Sequence, residues 1–123
     1  MNGLLVVGVA GAVGAVGRHA LDIGLRRPFP EGLSVGILVA NVIGSFVLGV
    51  LTGVAAGRIV DPDLRLAVGV GFCGGLTTFS TFAAQLAEVL ETGRRSAALR
   101  WAGVMLLSGL VAASIGVGVG RGV

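Results

Sequence analysis

Long apolar runs alternate with short polar breaks along the whole chain. The runs cover about residues 3–25, 33–57, 64–90 and 98–119. Each has the roughly 20 residues that a helix needs to cross a hydrocarbon core. The breaks are "RRPFPEG" at 26–32, "GRIVDPD" at 57–63 and "ETGRRS" at 91–96, which combine proline or glycine with charge. The pattern predicts an all-α integral membrane protein, a single domain over 1–123 with four transmembrane helices. Breaks this short make successive helices antiparallel.

Composition strengthens that reading. Hydrophobic residues make up 54% of the chain and charged residues 12%, about half the charge of an average soluble domain. The net charge of +3 would suggest nucleic acid in a soluble protein. Here the nine basic residues are all arginines. They lie mostly at the ends of apolar runs and form no stripe with interleaved aromatics, so they read as interface anchors. With four crossings, Arg18, Arg26, Arg27, Arg94, Arg95 and Arg100 fall on one side of the membrane. Arg58, Arg65, Arg121 and the amino terminus fall on the other. So small a bias predicts a chain able to insert either way up.

The first run lacks the positive n-region of a signal peptide and reads as a retained helix. One cysteine, Cys73, and one histidine, His19, leave nothing from which to build a metal or haem site out of side chains. Cys73 reads as a small buried filler and His19 as an interfacial residue. Glycine recurs in "GVAGAVGAVG", "GSFVLG", "GVAAG" and "GVGVG". Small residues three or four apart let helix backbones approach closely. Four helices are few to enclose a pathway alone, which favours a dimer.

Polar residues at membrane depth are costly and usually face a cavity or a partner. Asn41, Ser45 and Thr52 share roughly one face of the second helix. Asn41 either hydrogen-bonds a neighbouring helix or lines a pathway. The third run carries "GFCGGLTTFSTF" at 71–82, with "GGLTT" near its midpoint. Glycines weaken a helix and hydroxyls redirect backbone hydrogen bonds, so a central break is expected, with GG as a mere packing site the alternative. Membranes tolerate such a break only where the backbone is buried, ligated or wet. Thr78, Thr81, Gln85 and Glu88 then form a polar stripe towards the end of that helix. Phe79 and Phe82, one turn apart, suit core packing. They also suit an anion, because the rim of a phenyl ring carries partial positive charge. Arg18 either snorkels to the interface or helps attract an anion or cap a partner helix.

"GRHALD" at 17–22, "NVIGSFVLG" at 41–49 and above all "GFCGGLTTFSTF" resemble the Fluc (CrcB) family of fluoride channels. The likeness spans essentially the whole chain. It implies passive, fluoride-selective conduction that exports cytoplasmic fluoride and reduces its toxicity. It also implies an antiparallel, dual-topology homodimer in a prokaryotic plasma (inner) membrane, with two pores per dimer. The resemblance gives the backbone carbonyls of Gly74 and Thr77 a structural sodium ion (Na+) at the dimer centre. It makes Phe79 and Phe82 the pore phenylalanines and Asn41 the pore asparagine. Ser80, Thr81 and Ser108 would supply hydroxyls, and Glu88 would sit near the pore mouth. Arg18 matches the arginine that ends the first helix. The fourth helix departs from the family pattern: four residues after Ser108 stands Ala112, and the next serine is Ser114.

Fluoride is small and tightly hydrated, so its water must be replaced as it is stripped. Asn41 and the hydroxyls are the groups able to do so. Two other readings compete. A proton-coupled multidrug transporter needs a membrane-embedded carboxylate, yet the first run has none before Asp22 and the chain has no tyrosine. A non-transporting assembly subunit explains the glycines and leaves the hydroxyl stripe without a purpose. An enzyme finds no nucleophile–base pair here.

Overall fold

The computed structural model describes residues 2–25 and 34–123. The "RRPFPEG" loop with Arg26 and Arg27, and the expected start of the second helix at 33, lie outside the described residues. Four helical spans are long and apolar enough to cross a membrane: Gly3–Gly24, Val35–Gly57, Pro62–Glu91 and Arg95–Arg121. They are the first helix, the second helix, the third span and the fourth helix.

Side-chain caps mark where three of them begin. Asn2 accepts a hydrogen bond from the Leu4 N–H at 3.0 Å, and Ser34 accepts one from Ile37 at 3.3 Å. Asp61 caps the third span just ahead of Pro62, accepting from Asp63 at 3.0 Å. Each satisfies a donor that the first turn of a helix leaves unpaired. The turn into the fourth helix passes through Gly93 at φ +78°, the left-handed conformation that only glycine adopts without strain. The fourth helix starts at Arg95, a little ahead of the expected 98, because Arg95 and Ser96 continue the helix where the apolar run has ended.

Glycine edges set the packing. The second and fourth helices meet backbone to backbone: a Cβ on Gly49 would strike the Ala113 carbonyl, and one on Gly116 would strike that of Phe46. Close approach of this kind replaces the hydrophobic driving force that lipid removes. The first helix packs in the same way on the third span, with Gly14 against Phe72 and Gly75 against Gly11. Most large apolar side chains of the first and fourth helices face outward, among them Leu5, Val13, Leu106 and Leu110. Cys73 is buried, as its apolar surroundings suggest.

The third span departs twice from an ordinary helix. After Pro62–Arg65 it widens into a π-helix over Leu66–Cys73, then returns to α geometry over Gly74–Leu76. The chain breaks next at 77–79 and restarts as Ser80–Glu91. The break is therefore real, but it falls just beyond the glycine pair. Gly74 keeps helical angles (φ −63°, ψ −38°), whereas Thr77 is extended (φ −83°, ψ 151°). Gly75 serves instead as the contact with the first helix, where a side chain would not fit.

Candidate functional site

The site is the joint in the third span and the groove beside it. Gly44, one turn beyond Asn41, would carry a Cβ into the Thr77 methyl group. Glycine there lets the second helix lie against the joint and brings Asn41 within reach of it. Its Oδ1 accepts from the Thr78 N–H at 2.9 Å, and its Nδ2 donates to the Thr78 carbonyl at 3.2 Å. One side-chain amide thus pairs with both polar groups of one backbone residue. The other Nδ2 hydrogen lies towards the sulfur of Met105, 3.4 Å away on the fourth helix.

Thr78 is buried, and its hydroxyl is the hub of the restart. Its Oγ1 accepts from the Thr81 N–H at 3.2 Å, capping the second half-helix, and lies 3.3 Å from both the Ser80 and Thr81 hydroxyls. Thr77 bonds back to Cys73, through its N–H at 2.9 Å and its hydroxyl at 2.8 Å, and so finishes the first half-helix.

These bonds decide which carbonyls the break releases. In an unbroken helix the Thr78 N–H would bond to Gly74 and the Thr81 N–H to Thr77. Both donors are diverted, one to Asn41 and the other to the Thr78 hydroxyl. The break at 77–79 thus takes helical donors away from several carbonyls, those of Gly74 and Thr77 among them. Gly74 is exposed, and an added Cβ there would meet nothing within 4 Å.

A groove of about 620 Å³ runs between the second helix, the joint and the fourth helix. Asn41, Ser45, Thr78, Phe79, Phe82 and Met105 all line it. The two phenylalanine rings are 6.4 Å apart and tilted at 58°. Phe82 is 8% exposed and belongs to the wall, whereas Phe79 is 80% exposed on the outer face.

The remaining expected residues divide between joint and periphery. Ser80 and Thr81 belong to the hydroxyl cluster. Ser108 turns its hydroxyl back to the Met105 carbonyl at 3.2 Å, and Ser114 bonds to Leu110 at 2.8 Å. Thr52 bonds to Leu48 at 2.8 Å, nearer the end of its helix. Gln85 accepts from the Ser34 N–H at 3.3 Å, while the Ser34 hydroxyl bonds to Asp22 at 2.5 Å. That cluster ties the outer half of the third span to the first and second helices. Glu88 is exposed one turn further out, and Arg18 is half-buried on the first helix. Met105 is the groove residue in hydrogen-bond contact with Asn41 that the sequence reading missed. A lone methionine in an apolar run carries no signal of its own.

Helices and joint together define a multi-pass membrane protein built around a discontinuous helix. The chain belongs to the CrcB-like family, whose model, described as CrcB-like protein, Camphor Resistance (CrcB), matches residues 5–117. A protein of Nitratidesulfovibrio vulgaris named fluoride-specific ion channel FluC is 38% identical over 122 residues, 98% of both chains. One of Leifsonia xyli subsp. xyli, named fluoride-specific ion channel FluC 1, is 41% identical over 118 residues, 95% of this chain and 85% of that one. A Shewanella loihica protein named fluoride-specific ion channel FluC is 39% identical over 93 residues, about three quarters of each chain.

Proposed function

We infer that the protein is a fluoride-specific ion channel that conducts the anion passively out of the cell and so limits its toxicity. The observation that carries this reading is the groove. It brings the Asn41 amide, the Thr78 backbone and the rings of Phe79 and Phe82 together along one wall.

An anion losing its water needs donors in return. The Asn41 amide and the hydroxyls of Ser45, Ser80 and Thr81 can donate, and the phenylalanine rims add partial positive charge without any titrating group. Donors and ring rims of this kind suit fluoride, which gives up the most tightly held water, provided the groove is narrowed by a second copy. Such a path needs no ATP, because fluoride that accumulates inside leaves down its electrochemical gradient.

The working unit in this reading is an antiparallel, dual-topology homodimer in the inner membrane of a prokaryote. The exposed Phe79 and the open groove support a second copy at that face. The carbonyls of Gly74 and Thr77 fit a structural sodium ion there, since both are relieved of their helical donors. The Gly74 and Thr77 carbonyls would hold the ion through oxygen, the ligand type by which unwound membrane helices bind sodium. The ion would supply fixed positive charge and tie the two broken helices together. Asn41 and Thr78 keep the carbonyls free to meet it.

The reading is tested in cells that lack a fluoride exporter of their own. Expression of this chain restores growth in millimolar-range fluoride, and a Phe79→Ile variant does not. Equal sensitivity with and without the wild-type protein at the membrane overturns it.

A further inference from the structure

Asn41 has two amide hydrogens, and the structure gives them unequal partners. One is fixed on the Thr78 carbonyl at 3.2 Å, a full-strength acceptor held by the joint itself. The other is turned along the groove towards the Met105 sulfur at 3.4 Å. A thioether is a weak acceptor. In apolar surroundings a weak partner is still better than none, because a buried donor without one bears its full desolvation cost.

Met105 is part of the groove wall. It lies among the groove-lining residues of the fourth helix, Ala102, Leu106 and Gly109, and Gly109 leaves room beside Ser45. Its backbone carbonyl receives the Ser108 hydroxyl at 3.2 Å, so the one suitably placed serine of that helix faces back to the methionine.

We propose that Met105 is a positioning residue for conduction: its sulfur aims the second N–H of Asn41 into the groove and holds it there by a bond that fluoride readily displaces. The proposal rests on the channel reading above. The Oδ1 and first N–H of Asn41 are committed to Thr78, so the hydrogen on Met105 is the one the residue can offer to an ion. Fluoride is a far stronger acceptor than a thioether. It takes the hydrogen as it passes and returns it to the sulfur on leaving, with the Thr78 bonds intact throughout. A stronger acceptor at this position would keep the hydrogen for itself, and a hydrocarbon would leave it unaimed.

The test uses Met105→Leu, which nearly conserves volume, and Met105→Gln, which conserves length and adds an amide oxygen. The chain has two asparagines, Asn2 and Asn41. Asparagine-selective 15N labelling of the purified protein in detergent micelles therefore gives two side-chain amide pairs, one of them in the groove. Met105→Leu is expected to shift one proton of the Asn41 pair and leave its Thr78-bonded partner in place. In the wild type, sodium fluoride moves that same proton and sodium chloride does not. Fluoride efflux from liposomes falls roughly three- to tenfold in both variants, the scale of one hydrogen bond. An Asn41 amide pair unchanged by Met105→Leu overturns the proposal, as does wild-type efflux in either variant. Absence of efflux from the wild type itself sinks the channel reading, and the amide shifts then still report whether Met105 holds Asn41.

Discussion

The side-chain amide of Asn41 and the backbone of Thr78 form a two-point pair, N–H to Oδ1 at 2.9 Å and Nδ2 to carbonyl at 3.2 Å. The contact resembles one rung of a sheet ladder set inside a helical bundle. It removes from Gly74 the donor that would have closed the next helical turn. A residue of the second helix is thereby bonded to the stretch at which the third span stops being a helix.

Asn41→Asp separates the two halves of that pair. The carboxylate still accepts from Thr78 N–H but cannot donate to the Thr78 carbonyl, and it adds a negative charge to an anion's route. Fluoride efflux is expected to fall at least tenfold while the protein still elutes as an assembled species. Efflux rates from liposomes, alongside gel filtration, check both parts.

Phe79 is exposed and Phe82 is buried, so loss of either ring has a different structural consequence. Phe79→Ile leaves folding and yield near the wild type, yet removes a ring edge and cuts fluoride efflux severely. Phe82→Ala leaves a cavity and destabilises by about 3 kcal/mol or more. Thermal unfolding in detergent, measured with efflux, distinguishes a lost pathway from a lost fold.

The adjacent glycines predict opposite failures. Gly75 lies against the Gly11 carbonyl, so Gly75→Val prevents the first helix from packing on the third span and lowers the yield of folded protein. Gly74 has open space around it within one chain. Gly74→Val is therefore tolerated by the single chain and disrupts only the pairing of two copies. Cysteine-free cross-linking in membranes shows this as loss of the dimer band with normal expression.

Sodium held by the Gly74 and Thr77 carbonyls would make pairing depend on that ion. Replacing sodium by N-methylglucamine is expected to shift the protein from dimer towards monomer on dilution, and sodium to restore it. Mass photometry or light scattering follows the change.

How far the sequence reached depended on which physical signal each residue carries. Four spans were legible because hydropathy over about 20 residues is a strong, local signal. The identity of the breaking residues was less so. "GG" reads as the weak point on propensity alone, yet both glycines stay helical, Gly75 packed against the first helix, and the break comes at 77–79, where the Thr78 N–H bonds to Asn41. The π-helix at Leu66–Cys73 was invisible, since a short, uniformly apolar stretch carries no periodicity that distinguishes i→i+5 from i→i+4 bonding. Asn41 stood out as a polar group at membrane depth. Its attachment to Thr78, 37 residues along the chain, needed the fold. Met105 was hidden for the opposite reason, being an apolar residue in an apolar run whose significance comes only from the amide beside it.

The most direct measurement of the central claim is ion efflux from liposomes containing the purified protein, with potassium–valinomycin clamping the voltage. Vesicles loaded with fluoride or chloride are read with ion-selective electrodes. Rapid fluoride release with little chloride release is expected. Vesicles shown to hold folded protein that release neither ion, or both equally, would contradict it.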